Sequence, residues 1–324
     1  MQTSRNPARA FLLSYGFLIA ALVLECVAFE LLARRQGIKP FLSIDTLLLV
    51  LNQSAIYGVA SVGMTFVIVS GGIDLSVGSL IAFAGVVCAS VTKQLGAGWD
   101  AMLVGWCVAL AAGAAAGSVS ALFITKFQIP PFIATLAGMS TIRGLGFLIV
   151  QGKPVFDVPE RYTFLGRHMI AGTIPIGVLI LLAIFVAGAV LLNQTRFGRH
   201  VRAIGGSEES ARLSGVPIDR VKWAVYCMSG VFASLAGLML SSKMKSGDPT
   251  VGVGDELQVI AAVVVGGTSL AGGRGTIAGT FLGLLIIAVL ATGLTWIGME
   301  SFGQQVILGI VILAAVLLDR LKRT

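Results

Sequence analysis

Ten apolar runs succeed one another along this chain, and no other feature limits its fold so strongly. They lie at approximately 11–33, 47–70, 76–92, 101–124, 131–151, 172–192, 223–243, 257–271, 276–296 and 303–319. About 20 mostly apolar residues suffice for a helix to cross a bilayer core. Lipid offers the backbone no hydrogen-bond partner, so such runs must close their own hydrogen bonds as helices. Charged residues are only 12% of the chain, half of the roughly 25% found in soluble domains. The expected fold is an all-α polytopic membrane protein with about ten transmembrane helices. A short tail at 1–10 precedes a single transmembrane domain over 11–324. The third and eighth runs are short, and the junctions near 71–78 and 271–275 are brief enough for a kink or a re-entrant turn.

Lys and Arg in the connecting loops set the orientation of such a protein. With the N-terminus inside, the inner pieces hold Arg5, Arg9, Lys126, the basic residues of 193–222, Arg274, Arg320, Lys322 and Arg323. The outer pieces hold Arg34, Arg35, Lys39, Lys93, Lys153, Arg161, Arg167, Lys243 and Lys245. The densest loop and the basic tail fall on one side, so both termini are expected in the cytoplasm. The net charge of +8 sits mainly in loops and shows no basic patch interleaved with aromatics, so nucleic acid is not an expected partner. Cys26, Cys88, Cys107 and Cys227 lie inside apolar runs without metal-type spacing and read as small apolar fillers. His168 and His200 stand far apart in loops. Neither a metal site nor a catalytic group is expected.

Two short stretches interrupt the apolar pattern in a similar way: GGIDL at 71–75 and GGTSL at 266–270. Each lies between two runs, as a helix–turn–helix seam would. Asp74 or Ser76 is placed to cap the amides that open the third helix, where the helix dipole favours an anion. Gly113 with Gly117 and Gly279 with Gly283 form G-x-x-x-G faces, which suit close helix packing.

The longest polar segment, TRFGRHVRAIGGSEESARLSGVPIDRVKW (195–223), reads as two short helices. In the first, Arg199 and Arg202 share one face while Val201 and Ile204 take the other. Ser207 caps the second; Glu208 and Glu209 occupy its first turn, Arg212 and Leu213 its last, and Gly215 stops it. Every charge suits the helix dipole, as expected of an ordered unit that fits a groove on a soluble partner.

Four stretches carry a family resemblance: GMTFVIVSGGIDLSVGS (63–79), IPPFIATLAGMSTIRGLGFLI (129–149), TRFGRHVRAIGGSEESARLSGV (195–216) and GDELQVIAAVVVGGTSLAGGRGT (254–276). Together they resemble the permease subunits of bacterial ribose-type sugar ABC importers, within the branched-chain amino acid/ribose permease superfamily. The resemblance runs from about residue 45 to the end. It implies a multi-pass subunit of the bacterial inner membrane that works with a second permease copy or paralogue. A cytoplasmic ABC ATPase and a periplasmic sugar-binding protein would complete the system. The loop 193–222 would then be the coupling loop, with Arg199, Arg202, Ile204, Glu208, Glu209, Arg212 and Leu213 facing the ATPase. No P-loop is present: Gly152-Lys153 is followed by Pro154, and GGRGT has Arg274 in the lysine position. ATP and Mg are therefore expected on the partner, with no cofactor bound by this chain.

Neutral, hydroxyl-rich ligands are held by amides and hydroxyls with aromatic packing. Asn52, Gln53 and Tyr57 in the second run and Gln258 in the eighth are thus pathway candidates, and Phe66 is a gate candidate. Arg143 falls near the middle of the fifth run, where a cation is costly. It either lines the pathway or pairs structurally with Asp74, Asp255 or Glu256; Asp74 and Glu256 are themselves pathway candidates. An ion-coupled secondary transporter would carry several ionisable groups at mid-membrane and inverted repeats. Among ABC permeases, nucleoside or autoinducer-like substrates are alternatives to a pentose or hexose.

Overall fold

A computed structural model describes residues 7–321, with side chains described for 15–317. Most of the expected tail at 1–10, including Arg5, lies outside the described residues, as do Lys322 and Arg323. Of Arg9 and Arg320 only the backbone is described. The chain forms α1 (Pro7–Arg35), α2 (Ile44–Val69), α3 (Val77–Leu95), α4 (Trp99–Lys126) and α5 (Pro131–Ile149). A 3-10 turn (Glu160–Thr163), the one-turn α6 (Phe164–Arg167) and a hairpin of β1 (Met169–Ile170) with β2 (Ile174–Pro175) follow. Then come α7 (Ile176–Gln194), α8 (Arg196–Gly206), α9 (Glu208–Leu213), α10 (Ile218–Met244), α11 (Asp255–Val265), α12 (Ile277–Trp296) and α13 (Ser301–Leu321).

Eight of these helices are long and apolar enough to cross a membrane: α1 from Tyr15, α2, α3, α4, α5, α7, α10 and α12. The apolar part of α13, Ser301–Leu317, is shorter. The chain is thus a helical, multi-pass membrane protein. Its helix ends follow local chemistry. The Ser43 hydroxyl accepts the Thr46 amide at 3.1 Å to open α2, Pro131 opens α5 at the first turn, and Thr276 accepts the Gly279 amide at 3.0 Å to open α12. α10 sits centrally against α2, α3 and α4. The Gly113/Gly117 face of α4 meets the α10 backbone at Gly230 and Tyr226 so closely that a Cβ at either position would strike a carbonyl oxygen. Dispersion across such small-residue contacts drives helix association in lipid.

The eighth apolar run departs from expectation. Instead of a crossing over 257–271, only Asp255–Val265 is helical, about 16 Å at 1.5 Å per residue against a core of about 30 Å. Residues 245–254 precede it without helical structure. Val155 pairs with Gly247 at one end of this stretch, while Gly252 packs on Gly78 further in. A non-helical stretch thus leads directly into a half-length helix. The run stops at Val265 because Gly266-Gly267 forms a Schellman turn. Gly267 takes φ +86°, its N–H donates to Val264 O at 2.9 Å, and the Thr268 N–H donates to Val263 O at 3.2 Å.

The end of α2 uses the same turn. Gly71 takes φ +86°, its N–H donates to Ile68 O at 2.9 Å, and the Gly72 N–H donates to Val67 O at 3.0 Å. The two seams therefore share a turn, but with Gly71 equivalent to Gly267 rather than to Gly266, so the backbone likeness is one residue out of register with the likeness in letters.

Candidate functional site

Three clusters contain the expected site residues. The first lies midway along α2 and α5. Tyr57 of α2 faces Asp255, which opens α11. Arg143 of α5 spreads its guanidinium over the non-helical stretch: Nη1 donates to Pro249 O at 3.2 Å and to Val251 O, and Nη2 to Gly252 O at 3.1 Å. Its hydrogen bonds go to carbonyls, while Asp255 and Glu256, two of the carboxylates considered from sequence, lie close enough to act on its charge. The physical reason is that non-helical backbone among apolar helices has no ladder to satisfy it, and arginine's fork of five donors can serve several acceptors at once. Arg143 is thereby a splint for this stretch. Glu256 turns Oε2 toward Gly78, where it is buried without a hydrogen-bond partner among the described residues.

Beside this cluster runs a cleft. Gln53, Ser54, Tyr57 and Gln258 line it together with apolar residues of α12. It continues into a cavity of about 230 Å³ shared by Gln258 with Ser301, Gln304 and Gln305 of α13. At about 30 Å³ per water, that space holds several waters. The Gln53 Oε1 accepts the Thr292 hydroxyl at 3.3 Å, and the Gln304 amide donates to Met299 O at 2.9 Å. Gln53, Tyr57 and Gln258, each a pathway candidate from sequence, thus line one cleft. Gln304 and Gln305 were not read as site residues from sequence, although two adjacent amides inside a final apolar run are a visible signal. Asn52 is separate: its Oδ1 points toward Gly177 of α7. Glu25 was also missed. It is an acid inside the first apolar run, and its Oε2 is buried without a partner among the described residues.

The second cluster is the first seam. Asp74 is 1% exposed. Its Oδ1 accepts the Ser76 amide at 3.0 Å and the Ser76 hydroxyl at 2.6 Å, while Oδ2 accepts the Ser229 hydroxyl of α10 at 2.8 Å. All three bonds are internal, so the carboxyl group closes the turn and ties it to α10. Ser76, the alternative cap, uses its hydroxyl as a donor to Asp74.

The third cluster is α8–α9. Thr195 caps α8 by accepting the Gly198 amide at 3.2 Å, and Ser207 caps α9 by accepting the Ser210 amide at 3.2 Å. Val201 and Ile204 are buried against the bundle. Several residues expected to face a partner are engaged elsewhere. Ile204 is 3% exposed because it anchors the amphipathic helix. Arg202 donates to Leu192 O at 3.1 Å and Asn193 Oδ1 at 2.6 Å, satisfying the end of α7. Glu208 pairs with Lys222 at 2.6 Å and Arg212 at 3.4 Å. Arg199, Glu209, Arg212 and Leu213 remain exposed, Leu213 at 84%. An apolar side chain that open at a loop tip, ringed by charges, suits a docking point. Phe66, expected as a gate, is fully buried with its ring 6.0 Å from that of Phe197 in α8. It joins α2 to α8 and lines no cavity.

At the opposite end of the bundle, Glu160 pairs with Lys245. The Lys245 ammonium beside it holds the Glu160 carboxyl below its usual range.

A family model described as "Branched-chain amino acid transport system / permease component" matches residues 46–316. The chain is 40% identical over 323 residues to the ribose import permease protein RbsC of Escherichia coli K12, covering 98% of this chain and 97% of that one. It is 45% identical over 284 residues to the RbsC of Bacillus subtilis 168, covering 87% of each. The L-arabinose transport system permease protein AraH of Escherichia coli K12 is 37% identical over 311 residues, covering 95% of this chain and 91% of that one. No solved structure matches.

Proposed function

The chain belongs to the branched-chain amino acid transport system / permease component family, and from that premise we propose that it is the permease subunit of an ATP-driven monosaccharide importer. The substrate class is a ribose-like pentose or a hexose. The observation that carries this reading is the near full-length similarity to ribose import permeases. The amide-lined cleft supports it, because side-chain amides both donate to and accept from sugar hydroxyls.

The subunit sits in the bacterial inner membrane as one permease domain over residues 11–324. Counting the broken crossing at 245–265 and α13, the chain crosses ten times, with both termini and α8–α9 in the cytoplasm. A second permease copy or paralogue completes the channel, and a periplasmic sugar-binding protein delivers substrate to the opposite face. A separate cytoplasmic ATPase holds ATP and Mg and grips α8–α9 through Arg199, Glu209, Arg212 and Leu213. This chain performs no covalent chemistry. ATP can shift the permease only if the ATPase contacts α8–α9 differently in its two states. Gln53, Tyr57 and Gln258 line the route, and Arg143 holds the backbone beside it.

The test is to reconstitute the chain with candidate ATPases and binding proteins in vesicles and screen monosaccharides for stimulated ATP hydrolysis. Stimulation by a pentose or hexose is expected. Uptake driven by an ion gradient in vesicles without ATPase would replace this reading with a secondary transporter. Leu213→Asp with Arg199→Glu is expected to abolish ATPase co-purification while membrane insertion stays intact.

A further inference from the structure

Where α8 ends, three segments meet with no side chain between them. A Cβ on Gly205 would collide with the Val69 carbonyl oxygen and lie 2.5 Å from the Gly273 nitrogen. From the other side, a Cβ on Gly272 would lie 2.7 Å from Gly205 O and 2.9 Å from the Gly71 Cα. The Gly273 N–H donates to Val69 O at 2.9 Å, bonding the second seam directly to the end of α2. One contact point therefore joins the end of α8 to the last turn of α2 and to the loop that follows α11. α2 and α11 carry Tyr57, Gln53 and Gln258 into the cleft. Backbone packed this closely transmits displacement, because a gap of half an ångström already forfeits a quarter or more of the contact energy.

We propose that Gly205 and Gly272 are positioning residues of the transport cycle. They fasten the end of α8 to the end of α2 and to the loop leaving α11, so one push on α8–α9 reaches both walls of the cleft through that junction. This rests on the reading of α8–α9 as the ATPase docking unit. Partner-facing residues decide whether the ATPase binds; the glycine junction decides whether its motion arrives.

The experiment compares Gly205→Ala with Gly206→Ala in the reconstituted complex of permease, ATPase and binding protein. Both positions are in α8, but a Cβ on Gly206 meets nothing within 4 Å. Gly205→Ala is expected to co-purify with the ATPase and hydrolyse ATP at the basal rate. Stimulation by sugar-loaded binding protein should drop about tenfold, within the usual range of coupling between sites, and uptake should fall with it. Gly206→Ala should match the unsubstituted protein. Full stimulation in Gly205→Ala would overturn the inference while leaving the docking reading intact. Failure of the unsubstituted permease to hold any ATPase would remove the docking reading and the inference with it. If Gly205→Ala does not fold, amide hydrogen exchange on the unsubstituted complex decides. Addition of ATP should alter protection at 69–73 and 266–274 together with 196–206, and a change confined to 196–206 would refute the junction.

Discussion

The seams at 70–76 and 266–276 begin with the same turn and end in different ways. Each stops its helix with a glycine at φ +86°. After the first, α3 resumes within a few residues, and the buried Asp74 carboxylate holds the turn to Ser229 of α10. After the second, eleven residues pass before α12 resumes. There most of the ties are backbone: Ser269 N–H to Arg274 O at 2.9 Å, Gly272 N–H to Ser269 O at 3.0 Å, and Gly273 N–H to Val69 O, while the Thr276 hydroxyl meets that of Tyr15 in α1 at 2.8 Å. The difference separates a fixed seam, closed by one buried side chain, from one closed by several neutral bonds. The buried tie is hard to break without leaving donors unpaired.

The largest expected effect tests the fixed seam. Asp74→Ala leaves the Ser76 amide and two serine hydroxyls without their acceptor. At about 1–3 kcal/mol per buried group left unpaired, little folded protein should survive solubilisation. Asp74→Asn, which keeps an acceptor oxygen, should lose less. The readout is thermal unfolding of the detergent-purified protein, and an Asp74→Ala variant as stable as the parent would erase the contrast between seams.

A smaller effect tests their likeness. Alanine at Gly71 or Gly267 must adopt a left-handed conformation costing about 1–2 kcal/mol. A Cβ there meets no atom nearer than 3.7 Å at Gly71 and nothing within 4 Å at Gly267. The two variants should therefore be destabilised about equally; a clear inequality would mean that the shared turn carries different loads. Arg274→Ala, on the exposed part of the second seam, should change stability by no more than about 0.5 kcal/mol.

The smallest effect marks the baseline set by the opposite end of the bundle. Glu160 is held below its usual range by Lys245. A carboxyl depressed on folding stabilises at pH values above its unfolded value, about 4.3. That contribution fades as pH falls through the folded value. Glu160→Gln should melt slightly earlier than the parent at pH 7 and indistinguishably from it well below pH 4. A gap that persists in acid would show that the pair acts through packing.

Much of α8–α9 was legible because its grammar is local. Ser207, the acidic pair Glu208-Glu209 and Gly215 announce a short capped helix wherever they occur together. Which of its residues remain free for a partner was not legible. Arg202 and Glu208 look as available as Arg199 and Glu209 in the sequence, and only the end of α7 and Lys222 claim them. The cleft was half legible: Gln53, Tyr57 and Gln258 stand out as polar residues in apolar runs, while the place of Gln304 and Gln305 depends on how α13 packs.

By itself the sequence determined that this chain is a multi-pass helical protein with one ordered polar unit. Hydropathy, capping and turn propensity act over a few neighbouring residues and survive in any arrangement of the helices. The tertiary structure alone decided that only half of the eighth run is helical, that Arg143 binds carbonyls, and that three glycine segments meet at one point. Those outcomes depend on contacts between residues far apart in the sequence, and in lipid they are settled by close packing and by the need to pair every buried polar group.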